Sequence, residues 1–276
     1  MYRLSINRKF TTGCAIVGLV LLLVNVLGFV VPLRSQDIDG YRDFAGVETL
    51  DYATVAQRLR ELPQRSANRV DLVTEATRLF HAGIAHVSPD DVQAKGLAHY
   101  RMRVPATENW ILFLLSYLKP DTYSDYEFCN YRRALERGTG RCGQQSMALV
   151  SYLAEQGIET GFVALEGHAI ATAKVDASQW YLLDADYGAV IPYDIATAER
   201  DVDAVLAYYW SNAARENRIH ELYAPHNEVK YGGPEARYAR ACPIERVAYL
   251  LKWFVPGLMC LPFLLVWRRE PVPTGR

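Results

Sequence analysis

Two long apolar stretches bracket a chain that otherwise moves between helical and strand periodicity. No charged residue lies between Lys9 and Arg34, and the intervening CAIVGLVLLLVNVLGFVVPL is almost wholly apolar. A bilayer core of roughly 30 Å is crossed by about 20 apolar residues in a helix, so residues 11–33 are expected to form a transmembrane helix. The run exceeds the ~7–15-residue core of a signal peptide and no A-x-A-like site follows it, which favours a retained span over a cleaved leader. The second stretch, 247–267, is interrupted by Lys252 and contains Pro256 and Pro262. Spans tolerate such prolines, and Lys252 is expected to snorkel to the interface beside Trp253, with Trp267 as a second belt residue. This segment reads as a second transmembrane helix, the alternative being an interfacial or buried C-terminal helix.

Between them, residues 34–50 are polar and read as a linker, and 51–246 as one domain. A short helix is expected over Tyr52–Leu62, stopped by Pro63. Val70, Val73, Ala76, Thr77, Phe80, Ile84 and Val87 recur at three- and four-residue steps, the period of one helix face, with Asn68 as N-cap. His81 and His86 lie on or near this helix, five apart, and read as ordinary polar positions because metal-binding helical pairs use i, i+4. Thr107 is expected to cap a helix that ends before Pro120, and Tyr131–Arg137 to form another. Gly138 to Arg141 reads as a flexible turn. After it, Met147, Val150, Leu153 and Ala154 mark a helix face, and Gly157 stops the helix. The runs ETGFVAL, HAIATAKV and WYLLDADYG then read as consecutive antiparallel strands packed on that helix. Beyond Pro192 the pattern is helical through Asp201 to Ala214 and loop-like around Pro225 and Gly232-Gly233-Pro234. The fold class is therefore α+β, flanked by N- and C-terminal transmembrane helices and a tail, 268–276.

Charge and cysteines narrow the function. The 276 residues carry a formal net charge of -1. Phosphate binding needs a surplus of Lys and Arg, so nucleic acid is not an expected partner. Arg3, Arg8 and Lys9 precede the first span, and Arg268, Arg269 and Arg276 follow the second. They outweigh Arg34, Arg42, Arg240 and Arg246 by a narrow margin and favour cytoplasmic termini with residues ~35–245 across the inner or plasma membrane. Of five cysteines, Cys14 and Cys260 fall in the spans. A Cys129–Cys242 disulfide would leave Cys142 as a free thiol, and a Cys129–Cys142 bridge would remove it; spacing does not choose between them.

Cys142, His168 and Asp184 are the candidate chemistry. Cys142 begins a helix, where the positive end of the helix dipole favours a thiolate, and an adjacent imidazolium favours it further. His168 can supply that imidazolium and later give its proton to a leaving amine. A carboxylate on the other ring nitrogen would fix the ring. His168 opens one strand and Asp184 closes the next. An odd hairpin loop centred on Ala177 sets Ile170 opposite Asp184 and His168 opposite Asp186, making Asp184 the diagonal neighbour of His168 on one face. A loop centred on Asp176 sets Asp184 directly opposite His168. An even loop separates them. Asp186 shares the parity and is the alternative carboxylate.

Gly140-Arg141-Cys142-Gly143, the helix ending at Gly157-Ile158, Gly167-His168-Ala169 and Trp180 through Leu183-Asp184 resemble, in this order, the transglutaminase-like superfamily with its papain-like cysteine core. The resemblance covers about residues 105–192. It implies Cys142 as nucleophile, His168 as base and acid, and Asp184 as the residue orienting His168. It also implies an oxyanion hole of the Cys142 N–H plus one donor, for which Asn109, Trp110 and Gln144 are candidates. Ala185 departs from the pattern, standing where the family usually has Pro. The expected activity is a membrane-anchored thiol enzyme acting on amide bonds through an acyl-enzyme, as a peptidase, an amidase or an acyltransferase to amines. Peptide or protein substrates are expected and no cofactor. The non-enzymatic alternative is a silent scaffold or partner-binding module in an envelope or polysaccharide-export assembly, with envelope proteins as partners. A metal site on the trio is not expected, because zinc sites show paired short ligand spacings.

Overall fold

A computed structural model describes residues 8–34, 38, 48–209, 213–225, 227–237 and 241–267. Most of the expected linker 34–50 and all of the tail 268–276 lie outside the described residues. In chain order the elements are α1 (Arg8–Leu27), α2 (Tyr52–Arg65), α3 (Arg69–Gly83), β1 (Ala85–His86), α4 (Pro89–Lys95), α5 (Ala106–Leu118), α6 (Pro120–Tyr123), α7 (Tyr131–Arg137), β2 (Thr139–Gly140), α8 (Cys142–Glu155), β3 (Thr160–Leu165), β4 (His168–Lys174), β5 (Trp180–Asp184), β6 (Ala189–Ile191), α9 (Ile195–Arg200), α10 (Val202–Leu206), α11 (Ala213–Leu222), β7 (Glu228–Tyr231), α12 (Pro234–Arg237) and α13 (Ala241–Trp267). They divide into two compact units. A central unit holds residues 34–102 and 125–243, and a second holds the described residues up to Leu33, residues 103–124 and those from Ile244 onward.

In the central unit, β3 to β7 form an antiparallel sheet in the order β6-β5-β4-β3-β7. Helix α8 lies against β3 and β4 and also touches α3 and α7. Gly143 to Val150, Tyr152 and Leu153 are all buried, and a helix buried nearly all round is a core element rather than an amphipathic cover. Its C-terminus follows the glycine signal: Gly157 adopts φ +74°, and Ile158 N donates to Leu153 O at 3.1 Å. Two side chains fix α8 on its neighbours. Ser146 Oγ donates to Ala169 O at 2.8 Å, and Gln145 Nε2 to Ile84 O at 2.7 Å.

Several elements differ from the sequence pattern. Helix α2 runs through Pro63 to Arg65. Proline cannot donate to the carbonyl four residues back. Here the Tyr152 hydroxyl donates to that carbonyl, Leu59 O, at 2.9 Å, so the lost bond is replaced from α8. Helix α3, capped by Asn68 as its sequence implies, ends at Gly83 rather than continuing to Val87. The next residues form β1, which pairs in parallel with β2. Residues 228–231, read as loop, form edge strand β7 on β3. In α5 the backbone breaks at Asn109, whose side chain accepts from Ile111 N and Leu112 N, so Asn109 rather than Thr107 caps the regular turns.

Cys129 and Cys242 form a disulfide across a sequence separation of 113 residues, leaving Cys142 free. The Cys129→Ala/Cys242→Ala double variant is expected to lose about 2–5 kcal/mol in denaturant unfolding.

In the second unit, α1 and α13 are each long and apolar enough to cross a membrane. Helix α1 ends at Leu27, short of the expected residue 33, and α13 begins at Ala241, before the expected 247. Pro256 leaves Lys252 O without its helical donor, and two side chains replace it: Asn25 Nδ2 at 2.6 Å and Trp110 Nε1 at 3.2 Å. Lys252 does not snorkel outward. It is buried, with Nζ on Glu108 O at 2.5 Å, while Tyr249 Oη donates to the Glu108 carboxylate.

Candidate active site

The site is assembled by three chain reversals in the central unit. The first delivers Cys142. Strand β2 pairs with β1, with Ala85 N donating to Gly138 O and Val87 N to Gly140 O, both at 2.8 Å. This pins the segment before α8. Arg137, almost fully buried, braces the same segment by donating to Thr139 O at 2.9 Å, Tyr126 O at 2.6 Å and Gln144 Oε1 at 2.6 Å. Cys142 is then the first residue of α8 and half-buried. Gly143 follows because a Cβ there would stand 2.1 Å from Glu127 Oε1.

The β3–β4 hairpin delivers His168, which pairs with Leu165 beside the two-residue turn Glu166-Gly167. The β4–β5 hairpin delivers the carboxylates. Its register pairs Ala171 with Leu183 and Lys174 with Trp180, the odd-loop register centred on Ala177. Continued to the strand ends, that register leaves Asp184 diagonal to His168.

His168 Nε2 donates to Asp184 Oδ2 at 2.8 Å. A carboxylate only accepts, so this contact fixes the protonated nitrogen. The other nitrogen, Nδ1, is left for Cys142 and Asp186. Cys142 Sγ, a ring nitrogen of His168 and a carboxylate oxygen of Asp186 all lie within 4.8 Å of one another. Asp184 is fully buried and accepts three further bonds: Tyr209 Oη at 3.0 Å on Oδ2, with Asp186 N at 3.0 Å and Tyr187 N at 3.2 Å on Oδ1. Tyr209 Oη also meets Tyr223 Oη at 2.9 Å. Burial, then the Asp184 charge, push both tyrosine hydroxyls well above the usual range, so they stay protonated donors.

Burial of His168 disfavours its charged form. The Asp184 carboxylate, through charge and hydrogen bond, and then the neighbouring Cys142 outweigh that effect and raise His168 well above its ordinary 6.5. The imidazolium therefore stabilises the folded state fully below pH 6.5, and that contribution is lost as pH climbs through the raised value. The stability gap between wild type and His168→Ala is expected to narrow as pH increases above 6.5, read by thermal unfolding at a series of pH values.

The structure brings Cys142, His168 and Asp184 together and adds partners that the pattern of the chain did not single out. His86 lies off the end of α3, and its Nδ1 donates to Asp186 Oδ1 at 2.6 Å. His81 Nδ1 donates to Ala185 O at 3.1 Å. Both histidines thus hold the 184–186 segment. Of the candidate oxyanion donors, Gln144 is committed to Phe128, accepting from its N at 2.7 Å and donating to its O at 3.0 Å. Asn109 and Trp110 belong to the second unit. The Cys142 N–H, at the first turn of α8, is free of an intrahelical acceptor by position.

Tyr209→Phe removes one donor from Asp184 without touching the cysteine. It is expected to slow Cys142 alkylation near pH 6 by about 10-fold, the range of an outer-shell contact, while His168→Ala eliminates the acid-side reactivity.

Compared with known proteins, the chain matches no family model, no curated protein and no solved structure.

Proposed function

We propose that the chain is a membrane-anchored thiol enzyme acting on amide bonds, its central unit a papain-like domain of the transglutaminase-like kind. The observation that carries this reading is His168 placed between two groups, Nε2 on the buried Asp184 carboxylate at 2.8 Å and the Cys142 sulfur within 4.8 Å of a ring nitrogen, with Cys142 at a helix N-terminus.

The Cys142 thiolate attacks the carbonyl carbon of a peptide or protein amide. The new oxyanion meets the Cys142 N–H. His168 gives its Nδ1 proton to the departing amine, the C–N bond breaks, and a thioester remains on Cys142. His168, now neutral, takes a proton from the incoming water or amine, which displaces the thiolate and restores the ion pair. Asp184 keeps the ring in place and stabilises its charged form.

The two long apolar helices support membrane attachment. The Cys129–Cys242 disulfide supports a central unit on the oxidising side of an inner or plasma membrane. Envelope peptides or proteins are then the substrates within reach, and envelope proteins the partners.

The test is covalent trapping. The detergent-solubilised chain is incubated with acyl p-nitrophenyl esters and short amide peptides, quenched in acid and weighed intact. A mass increment of one acyl group, mapped to Cys142, released by hydroxylamine and absent from Cys142→Ser, is expected. A panel of acyl donors giving no Cys142-dependent increment would overturn the reading.

A further inference from the structure

Asp186 is the residue that the triad does not use. It is nearly fully buried, and burying a carboxylate is costly unless it has a partner. His86 holds one oxygen, Oδ1, at 2.6 Å. Among the described residues the other, Oδ2, has no hydrogen bond and stands 3.9 Å from His168 Nδ1. That oxygen faces the reacting atoms rather than the backbone.

We propose that Cys142 Sγ, His168 Nδ1 and Asp186 Oδ2 form a binding site for a thiophilic divalent cation, zinc foremost, and that cation binding blocks the thiol chemistry. One donor atom from each of the three residues lies within 4.8 Å of the others, and His168 Nδ1 and Asp186 Oδ2 stand 3.9 Å apart. Tetrahedral zinc with bonds of about 2.1 Å to nitrogen and oxygen and about 2.3 Å to sulfur holds nitrogen and oxygen about 3.4 Å apart and sulfur about 3.6 Å from each, so closing on the ion needs about half an ångström between His168 and Asp186, now 3.9 Å apart, and at most about 1.2 Å for the sulfur. The donor set, one thiolate, one imidazole and one carboxylate, suits zinc and leaves a fourth position open.

A second observation points the same way. Metal-bound histidine usually gives its other ring N–H to a carboxylate, and metal-bound carboxylates are themselves hydrogen-bonded. Both outer contacts are built here: His168 Nε2 on Asp184 at 2.8 Å, and Asp186 Oδ1 on His86 at 2.6 Å. Paired short spacings are the mark of structural zinc sites. They do not apply to donors brought in by a helix start and two strand ends, which is why the positions 142, 168 and 186 give no metal signal along the chain.

Binding replaces the imidazolium proton at Nδ1 with the cation, and that proton passes to solvent. The sulfur lone pair needed for attack is then engaged, and Nδ1 can neither give nor take a proton. The blocking rests on the proposed thiol chemistry, but the binding does not.

The test uses the full chain in detergent with Cys14→Ala and Cys260→Ala, so that Cys142 is the free thiol. Cobalt(II) is titrated in and displaced with zinc. One cobalt per chain is expected, with a thiolate-to-cobalt charge-transfer band in the near ultraviolet that EDTA removes and that Cys142→Ser lacks. Asp186→Asn and His86→Gln are each expected to weaken binding by about 10- to 100-fold. Circular dichroism confirms that each variant is folded, and if one is not, the other supplies the comparison. Absence of the charge-transfer band, or unchanged affinity in a folded Asp186→Asn or His86→Gln variant, would overturn the site. Alkylation of metal-free protein is read separately. Cobalt binding with ordinary thiol reactivity would sink the enzyme reading alone, and a reactive thiol without cobalt binding would sink this site alone.

Discussion

Replacing Asp184 with asparagine is expected to lower the rate of acyl-enzyme formation by about 10⁴-fold, the size of effect known for an aspartate that orients a catalytic histidine. The reason is local. Asp184 accepts from His168 Nε2, Tyr209 Oη and two backbone N–H groups. Asparagine can keep its oxygen on Asp186 N and Tyr187 N. Its NH₂ then faces two donors, Tyr209 Oη and His168 Nε2–H. The ring must turn or adopt the other tautomer, and it loses the charge that raises it above 6.5. Stability is expected to fall as well, by about 1–3 kcal/mol for each buried group left unpaired. Acyl-enzyme formation by intact mass against time, alongside denaturant unfolding of the same variant, reads both effects.

The second large effect lies away from the chemistry. Arg137→Met is expected to destabilise the chain by roughly 3–5 kcal/mol, because buried carbonyls at Tyr126 and Thr139 lose their donors at about 1–3 kcal/mol each and Gln144 Oε1 loses one of two. Methionine matches much of the side-chain length and removes every donor. The loss falls on the segment that positions Cys142, so Cys142 alkylation is expected to slow in molecules that remain folded. Urea unfolding gives the stability change. An unfolding midpoint equal to that of wild type would show that Arg137 does not brace the segment.

The site's frame was legible where chemistry is local. Gly157 ends α8 as its positive φ requires, Asn68 caps α3, and the odd loop about Ala177 sets the diagonal of His168 and Asp184. Each depends on residues close in sequence. The rest depends on distant partners. His86 and Asp186 are 100 positions apart, and nothing in the spacing of His81 and His86 announces that both reach the 184–186 segment. Pro63 stops a helix unless a donor from elsewhere replaces the lost bond, and Tyr152 does so. Strand β7 is short and polar, with exposed Glu228, Lys230 and Tyr231, so pairing with β3 rather than its own pattern makes it a strand. Residues 105–124 read as the beginning of the enzyme-like core, whereas α5 belongs to the unit that contains the two long apolar helices.

The proposed chemistry requires Cys142 to be an activated nucleophile. Its most direct test is the rate of iodoacetamide alkylation at Cys142 between pH 5 and 9, followed by peptide mass spectrometry in the full chain with Cys14→Ala and Cys260→Ala. Alkylation near pH 6 is expected to be at least about 10-fold faster than that of free cysteine, whose thiolate is scarce there, and to return to the free-cysteine profile in His168→Ala. A wild-type profile that already follows free cysteine, unchanged by His168→Ala, would contradict it.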